Sequence, residues 1–119
     1  MFEVEEKIWG TATHLHGDGV STTHLLSIVR GGSCSWHYHE YKFNTFYVLG
    51  GSLRVTYQLP NDKQIHITSL GAGEVFIIQP MTLHRFLAME NTTAIEISYV
   101  ENRPDDITRM DKGFVNDRV

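Results

Sequence analysis

Two histidines separated by a single residue, His37 and His39, are the clearest chemical signal in this chain. They lie in a run with strand character, where side chains two apart point to the same face of a sheet. The glycines at 31 and 32 suit a tight turn or a close backbone approach just before them. Burying two bare imidazoles is costly, whereas together they supply half of a transition-metal site. The alternative is a surface strand that carries two histidines by chance.

A third imidazole, His84, is the candidate that would complete this site. It begins its own predicted strand shortly after Pro80. A β-barrel can bring strands that are distant in the sequence to one cavity. Three neutral imidazoles with open coordination positions would bind divalent iron, manganese, zinc, nickel or copper, and geometry and availability decide which. The residues therefore predict a three-histidine metal site of open metal identity.

The composition fits one globular domain of common size. The chain has 119 residues, of which 41% are hydrophobic and 20% are charged. Its formal net charge of −4 argues against nucleic acid as a partner, and no apolar run approaches the ~20 residues of a membrane span. The acidic start of the chain has the wrong sign for a signal peptide, and the single Cys34 fits a reducing compartment. We expect a cytoplasmic protein.

Short segments rich in β-branched and aromatic residues recur between turn signals, which is typical of an all-β sandwich or barrel. The predicted strands are 7–14, 23–29, 33–39, 44–49, 52–59, 64–70, 74–78, 84–89 and 93–100. The strands on either side of Gly50-Gly51 are expected to form a hairpin, and a second turn is expected at 59–62. One domain, 1–119, is predicted, with a barrel core at about 7–100 and a polar tail, 101–119, that drapes over the barrel or stays partly mobile.

Two stretches of the chain resemble the two sequence motifs of the cupin superfamily. The first reads Gly31-x5-His37-x-His39-x4-Asn44-x6-Gly51, and the second lies at 73–84 and ends on the third histidine. The likeness spans about residues 24–100 and implies an all-β, cupin-type double-stranded β-helix (a jelly-roll barrel) with a short irregular C-terminal tail. In the family a glutamate stands where this chain has Asn44.

The asparagine leaves the fourth position of the metal site open to two interpretations. Its neutral carbonyl is either a weak ligand or a group that orients a bound water. It could also mean that the site has lost its metal. We favour a retained site of His37, His39 and His84, because buried unpaired histidines have little other use.

A narrower resemblance is to the cupin domain of the type II mannose-6-phosphate isomerases. It rests on Lys-Ile-Trp-Gly at 7–10, on His-Arg-Phe at 84–86 and on Asp-Asp-Ile-Thr-Arg at 105–109. A basic residue also precedes the ligand acid by two in that family, as Lys42 precedes Asn44 here. The family commonly has glutamine in place of His37. The resemblance implies a metal-dependent isomerase or epimerase that acts on a sugar or sugar phosphate.

Three functions of different class remain open from the sequence. The first is that isomerase or epimerase, in which the divalent metal is the Lewis acid and a side chain moves the proton. The second is a three-histidine non-haem iron dioxygenase, since three imidazoles leave positions for substrate and O₂. The third is a non-catalytic module that holds a small molecule, such as a carbohydrate, in the barrel.

A few other residues are candidates for acid–base catalysis or for substrate binding near the metal. Glu96 lies between two isoleucines and could face the cavity as an acid or base, although an exposed strand residue is the commoner case. Lys42, Arg54 and Arg85 could hold a phosphate or carboxylate of the substrate. Small barrels leave edge strands that a second copy commonly covers, so we expect a homodimer.

Overall fold

The computed structural model describes residues 2–101, 103 and 105–119, and these form thirteen strands. The strands are β1 (Glu3–Lys7), β2 (Gly10–Gly17), β3 (Thr22–Ile28), β4 (Gly32–Ser33), β5 (His37–Tyr38), β6 (Phe43–Gly50), β7 (Ser52–Gln58), β8 (His66–Gly71), β9 (Val75–Ile78), β10 (Leu83–Ala88), β11 (Thr92–Tyr99), β12 (Thr108–Arg109) and β13 (Phe114–Val115). The fold is an all-β jelly roll, as predicted. No helix in the described part of the chain is long and apolar enough to cross a membrane.

The strands form two antiparallel sheets. One contains six strands in the order β1-β2-β3-β11-β6-β9. The other is organised around β10, which pairs with β7 on one side and with the short strands β4 and β5 on the other. Strand β8 extends this sheet beyond β7, and β12 and β13 extend it beyond β5 and β4.

The core lies between the sheets because alternate residues of each strand point inward. Strand β6 shows this alternation, since Phe46 and Val48 are buried while Tyr47 between them is 43% exposed. The apolar side chains that are almost completely buried are Leu26, Ile28, Phe46, Val48, Leu53, Val55, Ile78, Phe86, Ala88 and Ala94. Phe86 packs edge-to-face against Trp9, with ring centroids 5.0 Å apart.

Most predicted strands agree with the structure to within one or two residues, but the first one is wrong. The segment 7–14 is not one strand, because β1 and β2 form a hairpin in which Lys7 pairs with Gly10. A Cβ at Gly10 would lie 1.9 Å from the carbonyl oxygen of Ser27. The chain turns where its backbone passes too close to β3 for any side chain, and Trp9 enters the core at that turn.

The predicted strand 33–39 is interrupted in its middle. Only its ends pair with β10, through Ser33 and His37. Between them, the Trp36 N–H donates to the Asp111 carboxylate at 2.9 Å, and the Trp36 carbonyl accepts from the Met110 N–H at 2.8 Å. The C-terminal tail thus takes over the backbone hydrogen bonds that a sheet neighbour would have made.

The expected hairpin at Gly50-Gly51 is also wrong. Strands β6 and β7 belong to different sheets, so the two glycines form a corner where the chain crosses from one sheet to the other. Gly51 has a φ of +95°, and a Cβ there would lie 2.5 Å from the Asn91 carbonyl oxygen. The second expected turn is confirmed, since β7 and β8 form a hairpin in which Tyr57 pairs with His66.

The tail lies across the second sheet. Strand β12 pairs Arg109 with His37 and Thr108 with Tyr38, and β13 pairs with β4. Asn102 and Pro104 of the predicted tail lie outside the described residues. The tail therefore contacts the same short strands that carry the histidine pair.

The two glycines of the corner offer a matched test of this geometry. Gly51→Ala should lower the free energy of unfolding by roughly 2–4 kcal/mol, because the added methyl meets backbone atoms and the left-handed φ is strained. Gly50→Ala is the control, since a Cβ there meets no heavy atom within 4 Å. Urea unfolding measures both variants. Equal losses in the two would contradict the crossing between sheets.

Candidate metal centre

The three predicted histidines meet inside the barrel. His84 on β10 is the direct cross-strand partner of His37 on β5, and His39 lies beside them. One ligand nitrogen from each of the three lies within 4.8 Å of the others. Ring centroids are 4.4 Å apart for His37 and His84, and 4.9 Å apart for His37 and His39. This arrangement of donor atoms could hold one metal ion.

Backbone carbonyls orient all three rings. Each Nδ1 lies at hydrogen-bond distance from a carbonyl oxygen: Ser35 at 2.7 Å for His37, Asp106 at 2.6 Å for His39, and Thr82 at 2.8 Å for His84. A carbonyl can only accept, so Nδ1 carries the proton and Nε2 keeps its lone pair. This is the tautomer that a metal ligand requires, and the hydrogen bond at Nδ1 fixes the ring orientation.

Burial also keeps the imidazoles neutral. Removal from water lowers the pKa of His37 and of His84 to about 3, and the charge of a neighbouring imidazole adds to the effect. Burial, together with the positive charge of Lys42, lowers the pKa of His39 to about 4, although the hydrogen bond to the Asp106 carbonyl opposes the shift. Neutral imidazole is the form that binds metals, so these rings are ready to bind without losing a proton.

The donor set passes a direct test of fit to a metal. Nε2 of His84 and Oδ1 of Asn44 are both buried and have no hydrogen-bond partner among the described residues. An unpaired buried polar atom costs about 1–3 kcal/mol. The Asn44 amide nitrogen is already used, since it donates to Glu96 Oε2 at 3.1 Å and to Ser98 Oγ at 3.0 Å. Its carbonyl oxygen is therefore the free end, available to a metal or to a water on it.

The centre lies in a cavity of about 420 Å³, large enough for a small organic molecule. The histidines His37 and His39 share its wall with Asn44 and with apolar side chains of the core. The charged residues of the wall are Glu5, Glu6, Lys7, Lys42, Glu96, Arg109 and Lys112. A ligand in this cavity would thus contact both the neutral polar side chains of His37, His39 and Asn44 and several charged side chains.

Glu96 faces this cavity, so the commoner case of an exposed strand residue is wrong here. It alternates on β11 with Ile95 and Ile97 and points the same way as the buried Ala94 and Ser98. Burial raises the pKa of its carboxyl, and the positive charges of Lys42 and Lys7 oppose that rise. The carboxyl accepts a hydrogen bond from the Asn44 amide nitrogen, and both residues line the cavity together with His37 and His39.

Two of the three predicted substrate cations do not line the cavity. Arg54 lies between Leu53 and Val55, which are both completely buried, so its side chain is on the outer face of β7. Arg85 follows His84 and must point the opposite way; its guanidinium lies 5.5 Å from the Trp36 ring and 3.8 Å from the Asp111 carboxylate. Lys42 alone among the three lines the cavity.

Three cations of the cavity wall were not predicted from the sequence, and they come from near the two ends of the chain. Arg109 and Lys112 belong to the tail, and Lys7 to the first strand. Arg109 lines the cavity because β12 places it directly across from His37, and cross-strand partners share a face. The motif at 105–109 was a usable signal, but only as a resemblance, since no periodicity locates a two-residue strand.

The fold and the site together define a small β-barrel protein with an internal three-histidine metal-binding cluster. A family model described as the cupin domain matches residues 24–100, so the chain belongs to the cupin family. No curated protein sequence matches the chain.

Several solved structures share this fold. Oxalate decarboxylase from Bacillus subtilis at pH 4.6 superposes with a TM-score of 0.79 at 15% identity, covering 92% of this chain and 30% of the other. The capsular polysaccharide assembling protein CapF from Staphylococcus aureus gives 0.77 at 17% identity, covering 93% and 34%. This chain spans about a third of the length of both. At such identities the similarity shows the fold alone.

Replacing single histidines tests the ligand set. His37→Ala and His84→Ala should each abolish stoichiometric metal binding, because two imidazoles hold a divalent ion far more weakly than three. His66→Ala is the control, since that ring hydrogen-bonds to Asp62 at 2.9 Å and is not part of the cluster. Elemental analysis of protein purified without a histidine tag measures the result. Unchanged metal in both cluster variants would show that the ligands are elsewhere.

Proposed function

We propose that this cupin is a metal-dependent isomerase or epimerase that acts on a sugar or sugar phosphate. The observation that carries the proposal is the half-buried carboxyl of Glu96, which lines the same cavity as His37 and His39 and hydrogen-bonds to Asn44. Interconverting an aldose and a ketose needs a Lewis acid at the carbonyl and a base that moves a proton between adjacent carbons. The cavity offers a residue set for each task.

The residues would divide the work as follows. His37, His39 and His84 would hold iron, manganese, zinc or nickel, and the bound ion would polarise the substrate carbonyl. Asn44 would be the fourth ligand or would orient a water, through its free carbonyl oxygen. Glu96 would take and return the proton, since a carboxyl whose pKa is raised suits a group that must do both.

The substrate class is argued from the cations of the cavity. Lys42 lies two residues before Asn44, just before β6 begins, and Arg109 lies across from His37. Neither forms an ion pair among the described residues, so both could bind a phosphate or carboxylate. The resemblance to type II mannose-6-phosphate isomerases supports a sugar phosphate. Oxalate decarboxylase of Bacillus subtilis has Mn(II) centres, which keeps manganese among the candidate metals.

A dioxygenase is the second candidate, and Asn44 favours it. Three imidazoles and a neutral carbonyl leave the charge of a divalent ion uncompensated and its open positions free for substrate and O₂. A binding module without turnover is the third candidate, because the same fold hosts many functions.

Proton exchange distinguishes these candidates. The metal-reconstituted protein, incubated with aldoses, ketoses and their phosphates in D₂O, should incorporate deuterium at the carbon next to the carbonyl, as NMR detects. Glu96→Gln should slow this exchange by about 10²–10⁴-fold while metal content stays unchanged, and Arg54→Gln is the matched control on the outer face. Oxygen uptake by the Fe(II) form that depends on an added diketone or thiol would show that the protein is a dioxygenase and not an isomerase. Saturable sugar binding without deuterium exchange would show that the protein is a binding module without turnover.

We also propose that the protein is a homodimer that buries the outer face of the six-stranded sheet. One uncharged row crosses all six strands through direct cross-strand pairs: Val4, Thr13, Leu25, Ile95, Tyr47 and Val75. The next row, of Thr23, Ile97, Thr45 and Ile77, is also uncharged. An uncharged sheet face of this extent, rich in aliphatic and aromatic side chains, suits pairing with a second copy across a twofold axis.

Light scattering tests the dimer. The protein should elute at twice its 13.6 kDa chain mass, and Tyr47→Glu should shift it towards the monomer, because a charge would be buried in the interface. Ile67→Glu is the control, since this residue is 63% exposed on the other sheet. A monomeric wild-type protein at micromolar concentration would overturn the proposal.

A further inference from the structure

Asp106 makes an unusual set of hydrogen bonds from the C-terminal tail. Its carboxylate accepts three successive backbone N–H groups, those of Glu40 at 2.7 Å, Tyr41 at 3.0 Å and Lys42 at 3.2 Å. Its side chain is buried, with the residue 8% exposed. These three N–H groups belong to the loop that directly follows His39, so the carboxylate fixes the backbone at that point.

The backbone of the same residue holds the histidine itself. The Asp106 carbonyl accepts the Nδ1 proton of His39 at 2.6 Å. The other two rings rely on local carbonyls, since Ser35 and Thr82 each lie two residues before the histidine that they orient. His39 alone among the three depends on a group 67 residues away in the sequence.

We propose that Asp106 is a positioning residue of the metal centre, which sets the tautomer and orientation of His39 by clamping the tail to the loop at 40–42. The proposal rests on the metal-binding part of the proposed function and is independent of the substrate. The carbonyl at 106 is present in any variant, so the side chain acts by holding that carbonyl in place. Without the clamp, the segment around 106 is free to move away from the ring.

The charge of Asp106 is consistent with this role. Burial alone would raise the pKa of its carboxyl, but the three N–H bonds outweigh burial and hold the pKa below the usual range. The group is therefore a carboxylate at neutral pH, and charge-assisted hydrogen bonds of this kind are stronger than neutral ones. The same clamp fixes the start of β12, whose Arg109 faces the cavity opposite His37.

Two substitutions at position 106 and two elsewhere in the tail test the proposal. Asp106→Ala removes the clamp, and Asp106→Asn keeps its size but places a donor against one of the N–H groups. Asp105→Ala is the control for the adjacent exposed carboxylate. Asp111→Ala loosens the tail at a different point, where the side chain accepts the Trp36 N–H.

Zinc affinity, measured by competition with a chromophoric chelator, gives the first readout. Asp106→Ala should raise the zinc Kd by about 10–100-fold, the typical effect of losing a group that orients a metal-binding histidine. Asp106→Asn should give a smaller increase, and Asp105→Ala and Asp111→Ala should stay within about twofold of the wild type. A zinc Kd for Asp106→Asn equal to that of the wild type would overturn the proposal, even if the alanine variant fails to fold.

Nitrogen-15 NMR of the imidazoles in the metal-free protein gives a readout that a merely structural role would not move. In both Asp106 variants the His39 signals should shift towards a mixture of tautomers, while those of His37 and His84 stay unchanged. Equal shifts of the signals of all three rings, or no shift of any, would contradict a specific role of Asp106.

The two proposals can fail separately. If the wild type binds zinc but catalyses no proton exchange, the isomerase proposal is wrong and the proposed role of Asp106 is unaffected. If the wild type binds no zinc, the metal centre fails, and the His39 signals still decide whether Asp106 positions the ring.

Discussion

The structure depends on one constraint, which is that three imidazoles buried together must each satisfy both ring nitrogens. The protein satisfies Nδ1 of each ring with a backbone carbonyl, and Nε2 of His84 is buried with no hydrogen-bond partner among the described residues. A buried polar atom without a partner is costly, and a cluster of unprotonated nitrogens has no donor of its own to relieve that cost. A divalent metal ion held by His37, His39 and His84 would relieve that cost, because it would accept an electron pair from each ring.

Strand alternation determines which other groups can reach that centre. Residues next to an inward histidine must point outward, so Arg85 is held against Trp36 on the surface, whereas residues two positions away or directly across a strand pair share the cavity. Arg109 enters by this rule, whereas Asn44 and Glu96 face the cavity from strands β6 and β11 of the other sheet. The cavity therefore combines neutral imidazoles with the half-buried carboxyl of Glu96, two further carboxyl groups at its wall and several cations.

This combination has chemical consequences for the proposed reaction. Because Asn44 brings no charge, the carboxyl that lies beside the proposed ligands is that of Glu96, and it contacts Asn44 through the amide nitrogen. In the proposed reaction, this carboxyl would be the group that exchanges a proton with the substrate. The tail adds a further element, since Asp106 links the position of His39 to a segment that also carries a cavity cation.

Local patterns in the sequence were enough to predict most strands, the all-β class and the three candidate histidines, because alternation and residue spacing are local properties, while the jelly-roll type followed from the resemblance to the cupin motifs. They could not distinguish a hairpin from a crossing between sheets at Gly50-Gly51, since both need glycine there and only the packing of two sheets separates them. Nor could they show that Glu96 faces the cavity and that Arg54 does not. They could not reveal the hydrogen bonds of Asp106 either, because its partners lie 64–67 residues away in the sequence. Those outcomes depend on which face of each strand meets the other sheet, and on where the tail returns, and the tertiary structure alone decides both.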